Sequence, residues 1–548
     1  MENEMKTTIF LNGNVFDGKS DKPFPGAVVV KNDEVVFTGS DKEARAFENK
    51  QSEVIDLEGK TILPGFYEGH AHGIMGGHLM NQCLLSGGKS IEDYKSIIRS
   101  YLQKKNKPSH VLGFGWIHGF FESTGPDKKT LDEVAPDIPA VFLSIDYHSC
   151  WANSKALEMA GIDKNTKDPH GGHIERYKEK GEPSGCLRES SAIELVMRIL
   201  PKPSKADWKE AARTYMKLAA QNGIIGIFDA GVLNADQPEV FEAIHEMDKK
   251  GELSVRIRQS FVLDPTKTDA DVEKIKELRS RYGHGENFKV EVAKIFMDGA
   301  VEGHTGFLLE SYTDRKGFRS QPVWDADTYE QTCRKLEEDN FQIHVHTIGD
   351  GAVRAGLDGI EKAMQKKRDA RHTLAHIELA DQHDIPRLAK LGMIASFQPA
   401  WFYMDENYFE ETIPLLAKPR ADRRYMLGDF LNAGVKIAFG SDWPWGTVSS
   451  SMDPLLAIGT SVTRKDPDDP DSKSYEPQEE IDLPTALKLH TFGGAWQNFN
   501  ESINGTIEKG KKADLVVLDR NIFETNDDAL SKIEVLMTVF EGRVVYKK

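Results

Sequence analysis

The sequence predicts an α/β fold, a (β/α)8 TIM barrel joined to a composite β-sandwich that both chain ends form. Three observations lead to this prediction. Charged helical segments alternate with buried apolar strands through the middle of the chain. Metal-compatible side chains fall near the C-terminal ends of several of those strands. Both ends of the chain consist of short β-branched runs separated by turns.

The two strand-rich ends have a similar composition of short β-branched runs separated by turns. Near the N-terminus, the runs 8–11, 27–30 and 34–37 are broken by Asn, Asp and Gly, which is typical of hairpins. The segments 513–519 and 535–546 repeat that pattern. We therefore predict one sandwich made of residues 1–62 and 500–548, with a barrel domain at 63–499 inserted between its halves. Two independent terminal caps are the alternative.

The middle of the chain repeats a helix followed by a strand. The amphipathic segment 206–220 precedes the apolar run 224–229. The same order recurs before the runs 290–296, 341–346, 373–378 and 434–442, with 392–399 between the last two. This alternation indicates a parallel sheet covered by helices, either doubly wound or closed as a barrel. A G-x-G-x-x-G motif does not follow the first strand, and the polar strand ends favour the barrel.

Residues from about 75 to 205 interrupt this regular order. They contain predicted strands at 111–116 and 140–145 and charged, glycine-rich turns. Long insertions at such positions are usually functional. We expect this one to build over the barrel mouth as a lid and specificity element.

A His-x-His pair ends the first predicted strand of the barrel. If residues 62–66 form a buried strand, His70 and His72 leave its end on one face, because side chains two apart point the same way. Neutral imidazole is the commonest metal ligand in proteins. A surface turn that happens to hold two histidines is the alternative. Further candidate ligands lie at other strand ends, namely Lys294, His346, His376 and Asp442.

Lys294 needs a separate explanation, because a protonated amine repels a metal ion. A buried lysine that loses its proton is nucleophilic and can add carbon dioxide to become an anionic carbamate that bridges two cations. Asp442 could hold the attacking hydroxide and pass its proton to a leaving nitrogen. Each residue alone has an ordinary structural explanation, and His344 is expected to pack behind the ligands. The combination favours one or two divalent ions, with zinc suited to nitrogen and carboxylate ligands.

Composition narrows the cellular context. The chain of 548 residues is 39% hydrophobic and 29% charged, with a formal net charge of −17. This charge disfavours nucleic acid and anionic membranes as partners. It says nothing about the expected small-molecule substrate, because a metal can invert the local sign of an active site. The four cysteines form no C-x-x-C pair, and the N-terminus lacks the features of a signal peptide. We therefore expect a cytoplasmic protein.

Ordered motifs along nearly the whole chain resemble the amidohydrolase superfamily, and within it the YtcJ-like branch called amidohydrolase family 3, with enzymes of the N-substituted formamide deformylase type. These motifs are the segments 12–16, 63–66, 70–72, 131–136, 148–157, 294–299, 346–350, 376–378, 440–444 and 505–518. Gly69 and the segment 301–305 depart from the usual pattern. Those departures affect only the choice of substrate.

The resemblance implies a distorted barrel with a composite sandwich and one or two divalent metals. Its ligands would be His70, His72, carboxylated Lys294, His346 and His376, with Asp442 in the acid/base role. His148, Asp298 and Trp116 become candidates for substrate contact, and a homodimer is a family-level expectation.

We therefore expect a metal-dependent hydrolase of a non-peptide carbon–nitrogen bond, in which metal-bound hydroxide attacks the carbonyl of an amide or N-acyl compound. A deaminase or an esterase with the same metal centre is an alternative. A catalytically silent scaffold of the same fold is another.

Overall fold

The protein is represented by a computed structural model. It describes residues 6–105, 108–122, 124–145, 149–169, 172–233, 235–364, 369–405, 408–445 and 451–548. The chain divides into two compact units. The first comprises Met1–Gly73 with Tyr215–Lys548, and the second comprises Ile74–Thr214. Among the described residues, no helix combines the length and the apolar character needed to cross a membrane.

The strands are listed in chain order. They are β1 (Thr7–Val15), β2 (Phe24–Lys31), β3 (Glu34–Gly39), β4 (Glu53–Asp56), β5 (Thr61–Pro64), β6 (Phe66–Ala71), β7 (Cys83–Leu84), β8 (Val111–Trp116), β9 (Ala140–Ser144), β10 (Ser149–Ala152), β11 (His173–Arg176), β12 (Pro183–Arg188), β13 (Ile224–Asp229), β14 (Arg256–Val262), β15 (Phe288–Phe296), β16 (Gln342–Thr347), β17 (Thr373–His376), β18 (Ile394–Phe397), β19 (Lys436–Phe439), β20 (Leu515–Leu518), β21 (Val535–Phe540) and β22 (Arg543–Lys547).

The α-helices follow the same convention. They are α1 (Asp41–Ala44), α2 (Gly73–Met80), α3 (Ile91–Lys104), α4 (Lys128–Asp132), α5 (Ser154–Ala160), α6 (Ser190–Met197), α7 (Lys205–Gln221), α8 (Gln237–Asp248), α9 (Thr268–Tyr282), α10 (Ala326–Glu338), α11 (Asp350–Ala363), α12 (Ile385–Leu391), α13 (Ile413–Leu416), α14 (Lys418–Ala421), α15 (Leu427–Asn432), α16 (Pro454–Thr463), α17 (Leu483–Lys488) and α18 (Gly494–Gln497).

Eight parallel strands of the first unit form the barrel, in the order β19-β18-β17-β16-β15-β14-β13-β6. Their residues are almost uniformly buried, as expected for strands covered on both faces. At the seam, the backbone N–H of Asp442 donates to the carbonyl of His70 at 2.8 Å, and that of His72 donates to the carbonyl of Trp443 at 2.8 Å. These bonds join β6 to the segment after β19, so the sheet is nearly closed. The predicted TIM-barrel fold is confirmed.

The second sheet of this unit contains strands from both chain ends, in the order β22-β21-β20-β5-β1-β2-β3, with β4 paired to β1. The two ends meet where β20 runs antiparallel to β5, with Leu515 opposite Pro64. A buried apolar cluster that includes Phe10, Ile62 and Val517 lies on this sheet. The composite sheet domain predicted from the two chain ends is therefore present.

The predicted strand at 62–66 is wrong in its bounds, because the chain changes sheets inside it. β5 pairs with β1 and β20, whereas β6 pairs with β13 in the barrel. Gly65 separates the two strands, and a Cβ there would lie 2.4 Å from a side-chain carbon of Ile225. The crossing therefore requires a residue without a side chain. As a result, His70 lies within β6 rather than beyond its end.

The unit Ile74–Thr214 has its own six-stranded sheet, in the order β11-β12-β10-β9-β8-β7. Its strands β8 and β9 correspond to the two strands predicted in this region. Trp116 is completely buried in an apolar cluster of this unit, and its indole N–H donates to the carbonyl of Phe142 at 2.9 Å. The sheet and this cluster give the unit a core of its own.

Candidate metal centre

His70 and His72 are held by partners on one side of each ring. Nδ1 of His72 lies 2.7 Å from the carbonyl oxygen of Gly231. Nδ1 of His70 lies 2.9 Å from Nε2 of His344. These contacts orient the rings, as partners behind metal-binding histidines commonly do. In both rings Nε2 faces Asp442, with distances to its Oδ1 of 3.1 Å from His70 and 3.6 Å from His72.

Asp442 follows β19 in a left-handed backbone conformation, with φ of 58°. Its neighbour Ser441 donates both its backbone N–H and its hydroxyl to Oε2 of Glu68, at 2.7 and 2.9 Å. Glu68 therefore fastens the Asp442 segment to β6, two residues before His70. Burial raises the pKa of Asp442 to about 7, an effect that the charge of Lys294 opposes. Burial thus favours the protonated form of this carboxyl as long as no cation is bound.

Two further histidines complete the cluster at the ends of β16 and β17. The rings of His346 and His376 have centroids 4.4 Å apart, and the centroids of His376 and His70 are 4.6 Å apart. Nδ1 of His376 lies 2.8 Å from Oε1 of Gln398, which fixes that ring as well. Burial lowers the pKa of His72 and of His346 to about 3. These imidazoles are therefore neutral at physiological pH, the form that binds metals.

Lys294 lies inside β15 with its side chain completely buried. Among the described residues its Nζ has no hydrogen-bond partner. Burial lowers the pKa of Lys294 to about 7, partly offset by the charge of Asp442. Burial therefore favours the neutral form of this amine. Such a lysine is unusual, because buried ammonium groups are normally paired.

These residues fit a divalent metal ion on their own chemistry. Ligand atoms of His70, His72 and Asp442 all lie within 4.8 Å of one another. Within the described parts of the chain, His70 Nε2, Asp442 Oδ1 and Lys294 Nζ are buried and make no hydrogen bond. Buried polar atoms are normally satisfied. A cation among nitrogen and carboxylate ligands would satisfy them.

The three predicted substrate-contact residues are in different situations. Asp298 follows β15, and its carboxylate accepts the backbone N–H groups of Phe307, Ile348 and Gly349 at 2.9–3.0 Å, so it fixes two loops beside the cluster. Trp116 lies in the core of the other unit, as described above. His148 lies outside the described residues. Their roles in substrate contact stay predictions.

Sequence reasoning missed the residues that support the cluster. Glu68 is an acidic residue in a strand that is buried throughout, two residues before His70, and that position was an available signal. The aromatic rings of Phe296, Trp401 and Trp445 each pack against a different histidine of the cluster. Their proximity depends on the folded chain, and no spacing in the sequence reveals it.

Comparison with known proteins agrees with this architecture. A family profile described as "Amidohydrolase family" matches residues 53–546. YtcJ of Bacillus subtilis is 30% identical over 528 residues, which cover 95% of this chain and 96% of YtcJ. An N-substituted formamide deformylase of Arthrobacter pascens is 25% identical, with 100% of this chain and 99% of that enzyme aligned.

A solved structure shares the fold. An uncharacterized metal-dependent hydrolase from Pyrococcus furiosus superposes with a TM-score of 0.73 at 23% identity, covering 94% of this chain and 99% of that one. The chain belongs to the amidohydrolase family. Family membership makes it a hydrolase, and the barrel with its buried histidine cluster is the part of the fold that bears on its chemistry.

Proposed function

We propose that the protein is a metal-dependent hydrolase that cleaves a non-peptide carbon–nitrogen bond in an amide or N-acyl small molecule. The observation that carries this proposal is the set of buried ligand atoms without hydrogen bonds at the C-terminal end of the barrel strands. Active sites of such barrels lie at that end. The choice of a carbon–nitrogen bond is supported by the relative named N-substituted formamide deformylase.

The proposed ligands of one or two divalent ions are His70, His72, His346, His376, Lys294 and Asp442. A bound divalent metal, for which zinc is our proposal, would polarise the substrate carbonyl and make a nucleophile available at neutral pH. Asp442 takes up the proton released during attack and delivers it to the leaving nitrogen.

We also propose that Lys294 carries a carbamate. The neutral amine attacks the carbon of carbon dioxide, a C–N bond forms, and one proton is released. The buried, unprotonated amine described above is the form that this addition requires. If so, protein purified without chelator should bind more metal per chain in bicarbonate than in buffer stripped of carbon dioxide. Lys294→Met should abolish this difference, and an unchanged metal content would contradict the carbamate.

The test of the mechanism is Asp442→Asn. General acid–base catalysis contributes about 10²- to 10⁴-fold to a rate. We therefore expect kcat on an accepted amide to decrease by a factor in that range, while the protein stays folded. Asp453→Asn is the matched control. Asp453 caps α16 by accepting the N–H of Leu455, and an amide oxygen can do the same. Near-wild-type activity of Asp442→Asn would refute the proposed mechanism.

The substrate screen should record two products separately. Amine release together with a carboxylate would support amide hydrolysis, whereas ammonia from an amino-substituted ring would favour a deaminase. Cytoplasmic location, a small molecule as the partner and a homodimeric state stay proposals. The net charge of −17 supports the exclusion of nucleic acid and anionic membranes.

A further inference from the structure

We propose that the metal centre receives a flat, uncharged aromatic substituent of its substrate, held against Phe296, Trp401 and Trp445. This inference rests on the proposed function, because it specifies the substrate of the same site. The three rings come from separate parts of the barrel rim: Phe296 ends β15, Trp401 follows β18 and Trp445 follows β19. All three are only half-buried.

Each ring contacts a different histidine of the cluster. Trp401 stacks on His376, with ring centroids 5.9 Å apart and an interplanar angle of 11°. Trp445 meets His72 edge-on, at 5.9 Å and 70°. Phe296 tilts against His346, at 5.3 Å and 40°. These separations are within the range in which aromatic rings attract one another.

The exposure of these residues shows where a substrate could approach. His70, His72 and His376 are at most 3% exposed. The side chain of His346 is 17% exposed and that of Asp442 is 12% exposed. The three partly exposed rings therefore lie beside the ligand cluster, whose accessible members are His346 and Asp442. A planar group attached to the reacting carbonyl compound would meet aromatic faces there.

The charges around the cluster favour an uncharged group. Lys294 belongs to the proposed ligand set. The terminal nitrogens of Arg424 donate to Thr412 and Tyr425 at 2.9 and 3.1 Å and form a close ion pair with Glu378. Arg424 is thus paired with Glu378, and under the proposed function Lys294 holds metal, so neither offers a free charge to a substrate. A carboxylate on the aromatic substituent itself, against the three rings and away from the metal, would lose water without gaining a counter-charge from either of them, which is costly.

The experiment compares two ketones that cannot be hydrolysed. 4-Phenylbutan-2-one keeps a carbonyl but replaces the scissile nitrogen with a methylene, and 4-cyclohexylbutan-2-one matches it in size without aromaticity. Calorimetry on metal-loaded protein gives the Kd of each. Aromatic pairs contribute a free energy that corresponds to roughly two- to twelvefold in Kd. We therefore expect the phenyl compound to bind about fivefold more tightly.

The variants assign the preference to particular rings. Trp401→Leu should reduce the affinity ratio towards one, and Trp401→Phe should retain part of it. If the Trp401 variants do not fold, Trp445→Leu tests the same prediction. Trp496→Leu is the matched control and should keep the full affinity ratio. Trp496 is also half-buried, but its ring packs against Arg371, which lies just before the N-terminal end of β17, whereas His376 lies at the C-terminal end.

Equal affinities of the two ketones for the wild-type protein would overturn the inference and would mean that the rings serve only to pack the histidines. A ratio that Trp496→Leu lowers as much as Trp401→Leu would also overturn it. The outcome is separable from the proposed function. Aromatic preference without amide hydrolysis would refute the function alone, whereas hydrolysis without aromatic preference would refute this inference alone.

Discussion

Replacing Arg256 with Met should destabilise the contact between the barrel and the C-terminal strands. Arg256, at the start of β14, donates to Asp514 at 2.6 Å and to Glu541 at 2.9 Å, and its guanidinium lies 4.6 Å from the ring centroid of Phe540. The side chains of Arg256, Asp514 and Glu541 are 5%, 1% and 15% exposed. Removing the cation leaves buried carboxylates uncompensated, which costs about 3–5 kcal/mol.

The assay is hydrogen exchange of the β20 and β21 segments together with the urea midpoint of unfolding. Arg543→Met is the control, because Arg543 approaches the same Phe540 ring at 5.9 Å and lies 4.0 Å from Glu541, yet its side chain is 55% exposed. An exposed pair contributes about 0–1 kcal/mol. The reasoning is refuted if Arg256→Met lowers protection and the midpoint no more than Arg543→Met does.

Three further predictions concern the seam, the second unit and pH. Gly440→Ala would place a Cβ 2.4 Å from the backbone nitrogen of His70, so the bound metal per chain and the melting temperature should both fall. Gly119→Ala is the control, because no atom lies within 4 Å of a Cβ at that position, and it should change neither quantity. Equal behaviour of the two variants would contradict this prediction. Trp116→Phe removes the hydrogen bond from the buried indole to the carbonyl of Phe142, which should cost about 0.5–1.5 kcal/mol in a urea titration, and an unchanged free energy of unfolding would show that the bond is unimportant. Burial lowers the pKa of His490 to about 4 from 6.5. The free energy of unfolding is therefore unaffected by protonation of His490 above pH 6.5. It decreases as the pH falls towards 4, because the unfolded chain then binds a proton that the folded protein does not, and the decrease is about 2 kcal/mol at pH 5. His490→Gln should lack that part of the pH dependence, and parallel stability curves for the two proteins would disprove it.

Sequence reasoning succeeded where an element of the fold can be recognised from neighbouring residues alone. Strand β13, for example, is an apolar run preceded by the amphipathic helix α7, and both features can be recognised from the local sequence. β14 has no such signal, because Arg256, Arg258 and Gln259 interrupt its apolar residues. These polar side chains are tolerated in a buried strand because Arg256 pairs with Asp514 and Arg258 pairs with Glu291. The first of those partners lies far along the chain, so the sequence alone could not reveal it.

The candidate site divides in the same way. The spacing of His70 and His72 and the position of Asp442 after its strand were visible in the sequence, and the structure brings these three side chains together. The partners that orient them were not visible. Glu68 and Ser441, for instance, are 373 residues apart. Long-range hydrogen bonds of this kind depend on closure of the barrel, which local patterns predict as a fold but not in atomic detail.

The junction at Gly65 has a consequence for the order in which the chain is synthesised and folds. β6, which carries the first ligand pair, continues directly from β5, and β5 pairs with β20 through residues 515–517. A ribosome must therefore synthesise about 450 further residues before that edge of β5 is covered. Until then the strand that precedes the ligand pair exposes an unpaired edge, the feature that recruits foreign strands. Nascent chains arrested before residue 515 should consequently be the aggregation-prone species during biosynthesis.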